Sequence, residues 1–230
     1  MSIWTIARKE WQHQLNGLLG YLFCALFVGA TAYPVFFSQS YGNVFLSGVA
    51  DLRAFFGAFP FTFSVFIPAL AMRSWAEERR LGTVELLLSY GLPEGQLVLG
   101  KFLGQYGLIV LSLALTLPVP ILVGQLAPLD WGQVLCGYLG ALFFAAASLS
   151  LCQFLGTFSQ HQILAFLLCS LAMTVLLMVE STLLNFAWHF QNVARGVLDS
   201  RDLVFYALFC LVFLFASRQT LITRFWSRPW

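Results

Sequence analysis

Six stretches of this chain are each apolar over about the length needed to cross a bilayer, and few folds survive that constraint. A spanning helix takes roughly 20 mainly apolar residues. The runs are 18–37, 54–72, 102–123, 134–156, 163–179 and 203–217, the last two shorter than the rest, so that their ends are expected to extend into the amphipathic segment between them. With 60% hydrophobic and 10% charged residues and a mean hydropathy of +0.82, the chain lies far from the soluble norm of roughly 45–50% apolar and 25% charged. A soluble 230-residue domain could not enclose 24 Phe and 7 Trp without a much larger polar shell. The expected fold is therefore an all-α integral membrane protein, a single domain over 1–230 with six transmembrane helices. Pro34, Pro60, Pro68, Pro118 and Pro120 fall inside runs, which membrane helices tolerate when neighbours satisfy the freed carbonyls.

Orientation follows from the cations near the span ends. With both termini on one side, that side carries Arg8, Lys9, Arg73, Arg79, Arg80, Lys101, Arg218, Arg224 and Arg228; the other carries Arg53, Arg195 and Arg201. Nine against three places both termini in the cytoplasm. Arg8, Lys9 and the first apolar run imitate a signal peptide, but the run continues through Val35, Phe36 and Phe37, which favours a retained span. Residues 2–16 read as an amphipathic helix, 1–17 forming an interfacial element. Ile3, Ala7, Trp11 and Leu15 share one face, while Arg8, Lys9, Gln12 and His13 turn away. A cytoplasmic stub extending the first span is the plainer alternative.

Several chemistries are set aside. A net charge of +2 without a basic, aromatic-interleaved patch excludes nucleic acid. Cys24, Cys136, Cys152, Cys169 and Cys210 all lie in apolar runs with no metal-ligand or disulfide spacing. No HExxH, span-embedded Ser/His pair or acid pair supports intramembrane hydrolysis. The stretch Gly95 to Lys101 imitates a phosphate loop, but Phe102 stands where a hydroxyl should bind magnesium and no strand precedes it. The chain is thus expected to hold no cofactor and no ATPase site of its own. Glu180 suits a capping or interface role, and Asp51 and Arg53 a solvated outer loop. The absence of acids at mid-span argues against a secondary transporter or channel-like protein without an ATPase partner, the alternative function.

Small residues recur at four-residue spacing: Gly137, Ala141 and Ala145, a parallel row of Gly132, Cys136 and Gly140, and the pair Gly100 and Gly104. Such rows let helix backbones approach closely, within a chain or between chains.

The most informative stretch is 73–101, RSWAEERRLGTVELLLSYGLPEGQLVLGK, with eight of the 22 formal charges. The second helix is expected to leave the membrane and reach Arg80, with Arg73 and Glu77 paired one turn apart. Gly82 breaks it, Thr83 caps a short helix carrying Val84, Leu87 and Leu88 on one side and Glu85 and Ser89 on another, and Gly91 and Pro93 reopen the chain. On pattern alone this is a solvated loop or a protruding docking helix.

This segment, from RSWAEERRLGTVELLLSYGLP to LVLGKFLG, resembles the loop between the second and third spans of ABC-2 type permeases, in particular the gliding-motility-associated (GldF-like) permease family. Arg195 to Asp202 with Tyr206, and Ala7 to Trp11 (ARKEW), resemble further family landmarks. The resemblance implies a type V exporter-like fold: an N-terminal interfacial helix, six spans, and a partly re-entrant outer hairpin over 180–202 before the last span. Trp188, Arg195 and Asp199 fall on that hairpin, with Leu183, Leu184, Phe186 and Phe190 as its apolar surface and His189 among its polar residues. It also implies a coupling helix in 73–101 that docks on a separate ATPase dimer carrying ATP and magnesium, with Glu77, Glu78, Arg79, Gly82, Thr83 and Glu85 as contacts. The remaining implied partners are a second permease copy or related permease, an auxiliary subunit with a periplasmic domain, and the lipid bilayer. The implied setting is the bacterial inner membrane, multi-pass, and the implied task is export or envelope-directed work on an unidentified substrate.

Overall fold

The computed structural model describes residues 3–37, 52–80, 82, 93–126, 128–159, 161–179, 185–196 and 199–226, and every regular element among them is helical. In chain order these are α1 (Ile3–Leu15), α2 (Leu18–Phe37), α3 (Arg53–Gly57), α4 (Phe59–Arg80), α5 (Glu94–Leu115), α6 (Pro118–Leu126), α7 (Trp131–Gly156), α8 (Gln162–Met178), α9 (Phe186–Ala194) and α10 (Ser200–Trp226). Five helical stretches are long and apolar enough to cross a membrane: Gly20–Phe37, Arg53–Arg79, Glu94–Leu126, Trp131–Gly156 and Ser200–Thr223.

The expected extension of the fifth run into the segment that follows it is not found. Helix α8 has 17 residues and ends at Met178, where the extended backbone of Val179 stops it. At 1.5 Å per residue it is about 25 Å long, short of the roughly 30 Å hydrocarbon core. It does not extend past its apolar run, whereas α10 gains most of its extra length at its C-terminal end. Proline shapes two other elements. The run 102–123 is broken at Thr116 and Leu117, and Pro118 opens α6, since a first-turn position needs no N–H donor. Pro60 likewise sits in the first turn of α4.

The core is an aromatic ladder. Phe27 meets Phe63 at 5.5 Å between ring centroids, Phe63 meets Phe144 at 5.5 Å, and Phe144 meets both Phe186 and Phe190 at 5.6 Å. These spacings suit offset and edge-to-face ring packing. Hydrogen bonds tie helices together inside this apolar body: Gln153 Nε2 donates to Gln105 Oε1 at 3.0 Å, Tyr106 OH to the Leu142 carbonyl at 3.2 Å, and Thr116 pairs with Tyr138 at 2.9 Å.

The small-residue rows are used within the chain. A Cβ on Gly137 would lie 2.4 Å from the Phe56 ring, and one on Gly140 would lie 2.8 Å from Val193. The Gly100 and Gly104 row receives α1: a Cβ would lie 2.7 Å from Ile6 at the first and 2.6 Å from Glu10 at the second, with the Ala7 carbonyl at 2.9 Å. Helix α1 is thus separate from the first span and lies across the start of the third. Its α5-facing side is wider than the expected stripe, because Ile6 and Glu10 join Ile3, Ala7 and Trp11 there.

The two ends of the bundle are distinct. At one, α1 crosses α5, Arg218 of α10 lies 3.6 Å from where a Gly95 Cβ would stand, and α4 ends in its charged turns. Both described termini therefore meet at one end. At the other, Gln133 Nε2 of α7 donates to the Ala194 carbonyl of α9 at 3.1 Å.

The close approach of α1 to α5 predicts an asymmetric response to added methyl groups. Gly104→Val should release α1, raising hydrogen exchange across 3–15 well above that of the other helices. Gly29→Ala, with nothing within 4 Å of the new Cβ, should leave exchange unchanged and, by helix propensity, stabilise by up to about 1 kcal/mol.

Candidate functional site at the base of the charged segment

Helix α4 continues to Arg80, as its sequence suggests, and α5 begins at Glu94. Between these two legs Gly82 has φ of +67° and donates its N–H to the Arg79 carbonyl at 3.2 Å. That left-handed backbone suits glycine, since an L-residue with a Cβ meets the following carbonyl there. Thr83 and Glu85, with the short helix assigned to them, lie outside the described residues.

The centre of the site is Lys101, 1% exposed although it carries a full charge. Its Nζ donates to the Ser74 carbonyl at 2.9 Å and the Ser74 hydroxyl at 3.2 Å, and pairs with Glu78 Oε1 at 2.8 Å and, more loosely, with Glu10 Oε2 at 3.9 Å. It also sits 5.0 Å from the centroid of the Trp75 ring, within cation–π range. Ser74 and Glu78 are one helical turn apart, so α4 presents both to the same ammonium. A buried ammonium is stable only when paired and fully hydrogen-bonded, and here α1, α4 and α5 each contribute to that pairing.

Trp75 completes the joint. It is buried, packs with Leu97 and Val98 of α5 and Leu221 of α10, and approaches Gly156 at the end of α7. Four helices therefore meet where the charged segment enters and leaves the bundle. The chain from Gly95 to Lys101 is continuous helix, so the phosphate-loop-like motif forms no open loop.

Of the residues expected at a coupling contact, Glu78 turns inward to Lys101, and Glu77 and Arg73 line a cavity of about 610 Å³ beside it. The expected Arg73–Glu77 ion pair does not form within 4.0 Å. Glu78 rather than Glu77 occupies the α5-facing side, and Arg73 is exposed. Arg79 is half-buried. Trp188 is about half exposed on α9, while Arg195 and Asp199 are exposed beyond it. Asp199 caps α10, its carboxylate accepting from the Arg201 N–H at 2.9 Å.

Two features were not read from the sequence. Lys101 looked like a loop cation ending a polar stretch; the available signal was that no turn residue separates it from the apolar run after it. The second is a buried pair at the opposite end, His189 Nδ1 with Asp202 Oδ1 at 2.6 Å, the imidazole stacked on Phe205 at 4.3 Å. Tyr206 OH donates to the Phe186 carbonyl at 2.7 Å, and together these bonds lash α9 to α10.

The sequence profile described as ABC-2 family transporter protein matches residues 25–195, well over half of the chain. This chain belongs to the ABC-2 transporter family. It is also similar to a probable ABC transporter permease protein, NosY, of Pseudomonas aeruginosa, with 36% identity over 112 residues. That match takes in 47% of this chain and only 40% of the relative's length. Within the ABC-2 family frame, the Lys101 joint stands at the root of the loop between the second and third long helices.

Breaking a buried pair leaves an uncompensated charge, which costs about 3–5 kcal/mol for full burial and less where, as here, Glu78 is 24% exposed. Lys101→Met should therefore destabilise the chain by about 2–4 kcal/mol. A double-mutant cycle with Glu78→Gln should return a coupling of about 1–3 kcal/mol. A coupling near zero would mean that the pair does not fasten α4 to α5.

Proposed function

We propose that this chain is the membrane-spanning permease subunit of an ATP-binding cassette transporter, driven by a separate ATPase dimer that docks on the segment following α4. The observation that carries the reading is the Lys101–Glu78 ion pair, with Trp75 beneath it. It fastens both legs of that segment, so a load applied between them is delivered to α4 and α5 together. ABC-2 family membership and the likeness to a probable ABC transporter permease point the same way. ATP and magnesium belong to the partner, which supplies the hydrolysis this chain's residues do not.

In this reading the Lys101 end of the bundle faces the cytoplasm of a bacterial cell, with both termini, in the inner membrane. The α9 end, including Trp188, Arg195 and Asp199, faces outward as a hairpin before the last span, and α1 lies in the membrane interface. The gliding-motility-associated subfamily is the finer assignment, supported by the Trp-Ala-Glu-Glu and Gly-Thr-Val-Glu-Leu-Leu-Leu runs. A second permease copy or a related permease completes the pore, and an auxiliary subunit with a periplasmic domain receives the work.

The purified chain should have no ATPase activity alone and should co-purify with a soluble nucleotide-binding subunit. Glu85→Lys would place an unpaired charge in a partly desolvated contact, at about 2–5 kcal/mol. Gly82→Val would strain a left-handed backbone by about 1–2 kcal/mol. Both should release the ATPase or uncouple hydrolysis from transport while the membrane body still folds, whereas Glu94→Lys should be mild. Normal ATPase affinity and activity with both Gly82 and Glu85 changed would reduce the segment to a solvated loop.

Sidedness has its own test. A cysteine at Gln125 should react with a membrane-impermeant thiol reagent in whole cells and one at Glu94 should not; the reverse pattern would invert the orientation.

A further inference from the structure

The cavity of about 610 Å³ beside the Lys101 joint is not explained by coupling. It lies between α2 and α4 with α1 as its polar wall, and its two ends differ in chemistry. Toward the middle of the bundle it is lined by Leu22, Phe23 and Leu26 of α2 and Phe66 and Leu70 of α4. Phe23 and Phe66 close this end edge to face, at 5.6 Å between centroids. Leu22 and Leu26 are 48% and 54% exposed, so the apolar half runs without interruption onto the outer, lipid-facing surface of α2.

The other end is charged, and its balance is specific. Lys9 and Glu10 of α1, Arg73, Glu77 and Glu78 of α4 and Lys101 of α5 all line it, three cations and three acids. Lys101 is already engaged by Glu78 and Ser74. Lys9, Arg73 and Glu77 make no ion pair within 4.0 Å among the described residues. An anionic ligand would leave Glu77 unmatched, and a cationic one would leave Lys9 and Arg73 unmatched. A headgroup carrying one phosphate and one ammonium answers both.

We propose that this cavity holds a phospholipid with a zwitterionic phosphate–ammonium headgroup, of the phosphatidylethanolamine type, drawn from the surrounding bilayer. The phosphate lies toward Arg73 and Lys9, the ammonium toward Glu77 and Glu10, and the first part of an acyl chain runs between α2 and α4 to the Phe23–Phe66 closure. From Glu78 to Phe66 the α4 axis advances about 18 Å, room for a headgroup, its glycerol and the first methylenes. The volume falls within the roughly 300–1,000 Å³ of small-molecule pockets. A primary ammonium brings three N–H donors to the carboxylates, which a trimethylammonium group lacks, so the site separates two headgroups of equal net charge.

The test uses the full-length chain, purified and equilibrated with vesicles of phosphatidylethanolamine, phosphatidylcholine and phosphatidylglycerol in equal amounts, then analysed for retained lipid by native mass spectrometry. Phosphatidylethanolamine should be retained at least tenfold over each of the others. Changing Arg73→Gln and Glu77→Gln together should remove that preference without shifting the thermal midpoint. Leu26→Trp, which fills the apolar half and touches no charge, should lower retention of all three lipids and covers the case in which the double variant fails to fold. The soluble headgroup glycerophosphoethanolamine should not compete. Equal retention of the three lipids, an unchanged Leu26→Trp variant, or competition by the soluble headgroup as strong as by the lipid would each overturn the proposal. No nucleotide-binding chain enters the measurement, so its outcome is independent of the ATPase reading.

Discussion

A buried ammonium imposes order on everything within reach of it. Lys101 is almost without solvent contact, and an unpaired charge in that setting would cost several kcal/mol. The chain meets the demand from two neighbouring helices at once: Ser74, Glu78 and the Trp75 ring from α4, and Glu10 from α1. Neither of these helices can shift relative to α5 without uncovering the charge. The pairing thus fixes the register of α4 on α5 and the seat of α1, neither of which apolar packing alone would specify inside a lipid-like medium.

Helix α5 carries out this organisation through two adjoining stripes. One is Gly100, Gly104 and Gly107, bare enough for α1 to lie on the backbone. The other, one residue on, is Lys101, Gln105, Leu108 and Ser112. It reaches α4 through Ser74, α7 through Gln153 and α2 through Cys24, whose sulfur lies 3.3 Å from Ser112 Oγ. The spacing of both stripes follows the helical repeat, so each keeps one direction along the axis. A single helix is therefore both the landing strip of the N-terminal helix and the polar spine of the bundle.

Much of this was legible in the sequence, and the parts that were not share a cause. The long apolar runs, the extension of α4 to Arg80, the break at Gly82 and the closeness implied by the glycine rows are local properties, set by composition and backbone sterics. Which helix fills a glycine row is a tertiary fact; Gly100 and Gly104 could not announce α1. The shortness of α8 and the interruption at Thr116 depend on where prolines and neighbours stop a helix that hydropathy would carry further. Lys101 and the His189–Asp202 pair were hidden for the same reason. A charge beside an apolar run reads as a loop residue until the partners that bury it, 27 and 13 positions away in the chain, are known.

The two charged joints sit at opposite ends of one packed column. Helix α4 runs unbroken from Phe59, in the aromatic ladder under α9, to Glu78 at the Lys101 joint. Phe59 meets the Phe190 ring of α9 at 6.3 Å, and Phe63 stacks on Phe144, which touches Phe186 and Phe190. Helix α9 is in turn bound to α10 by His189–Asp202 and Tyr206. Close-packed rings transmit displacement because they have no free volume to absorb it. A movement of the Lys101 end of α4 must therefore either carry α9 with it or open a gap between Phe59, Phe144 and Phe190, and the loss of ring contacts opposes the second. Continuity of packing of this kind dictates where a displacement goes; the free energy with which one end biases the other is a separate quantity, set by the alternative arrangements available to α9. In this column α9 is held in turn by α10. There the directional bonds of His189 to Asp202 and of Tyr206 to the Phe186 carbonyl are backed by rings, Phe186 on Phe205 and Phe209 and His189 on Phe205, so the aromatic packing continues from α9 into α10.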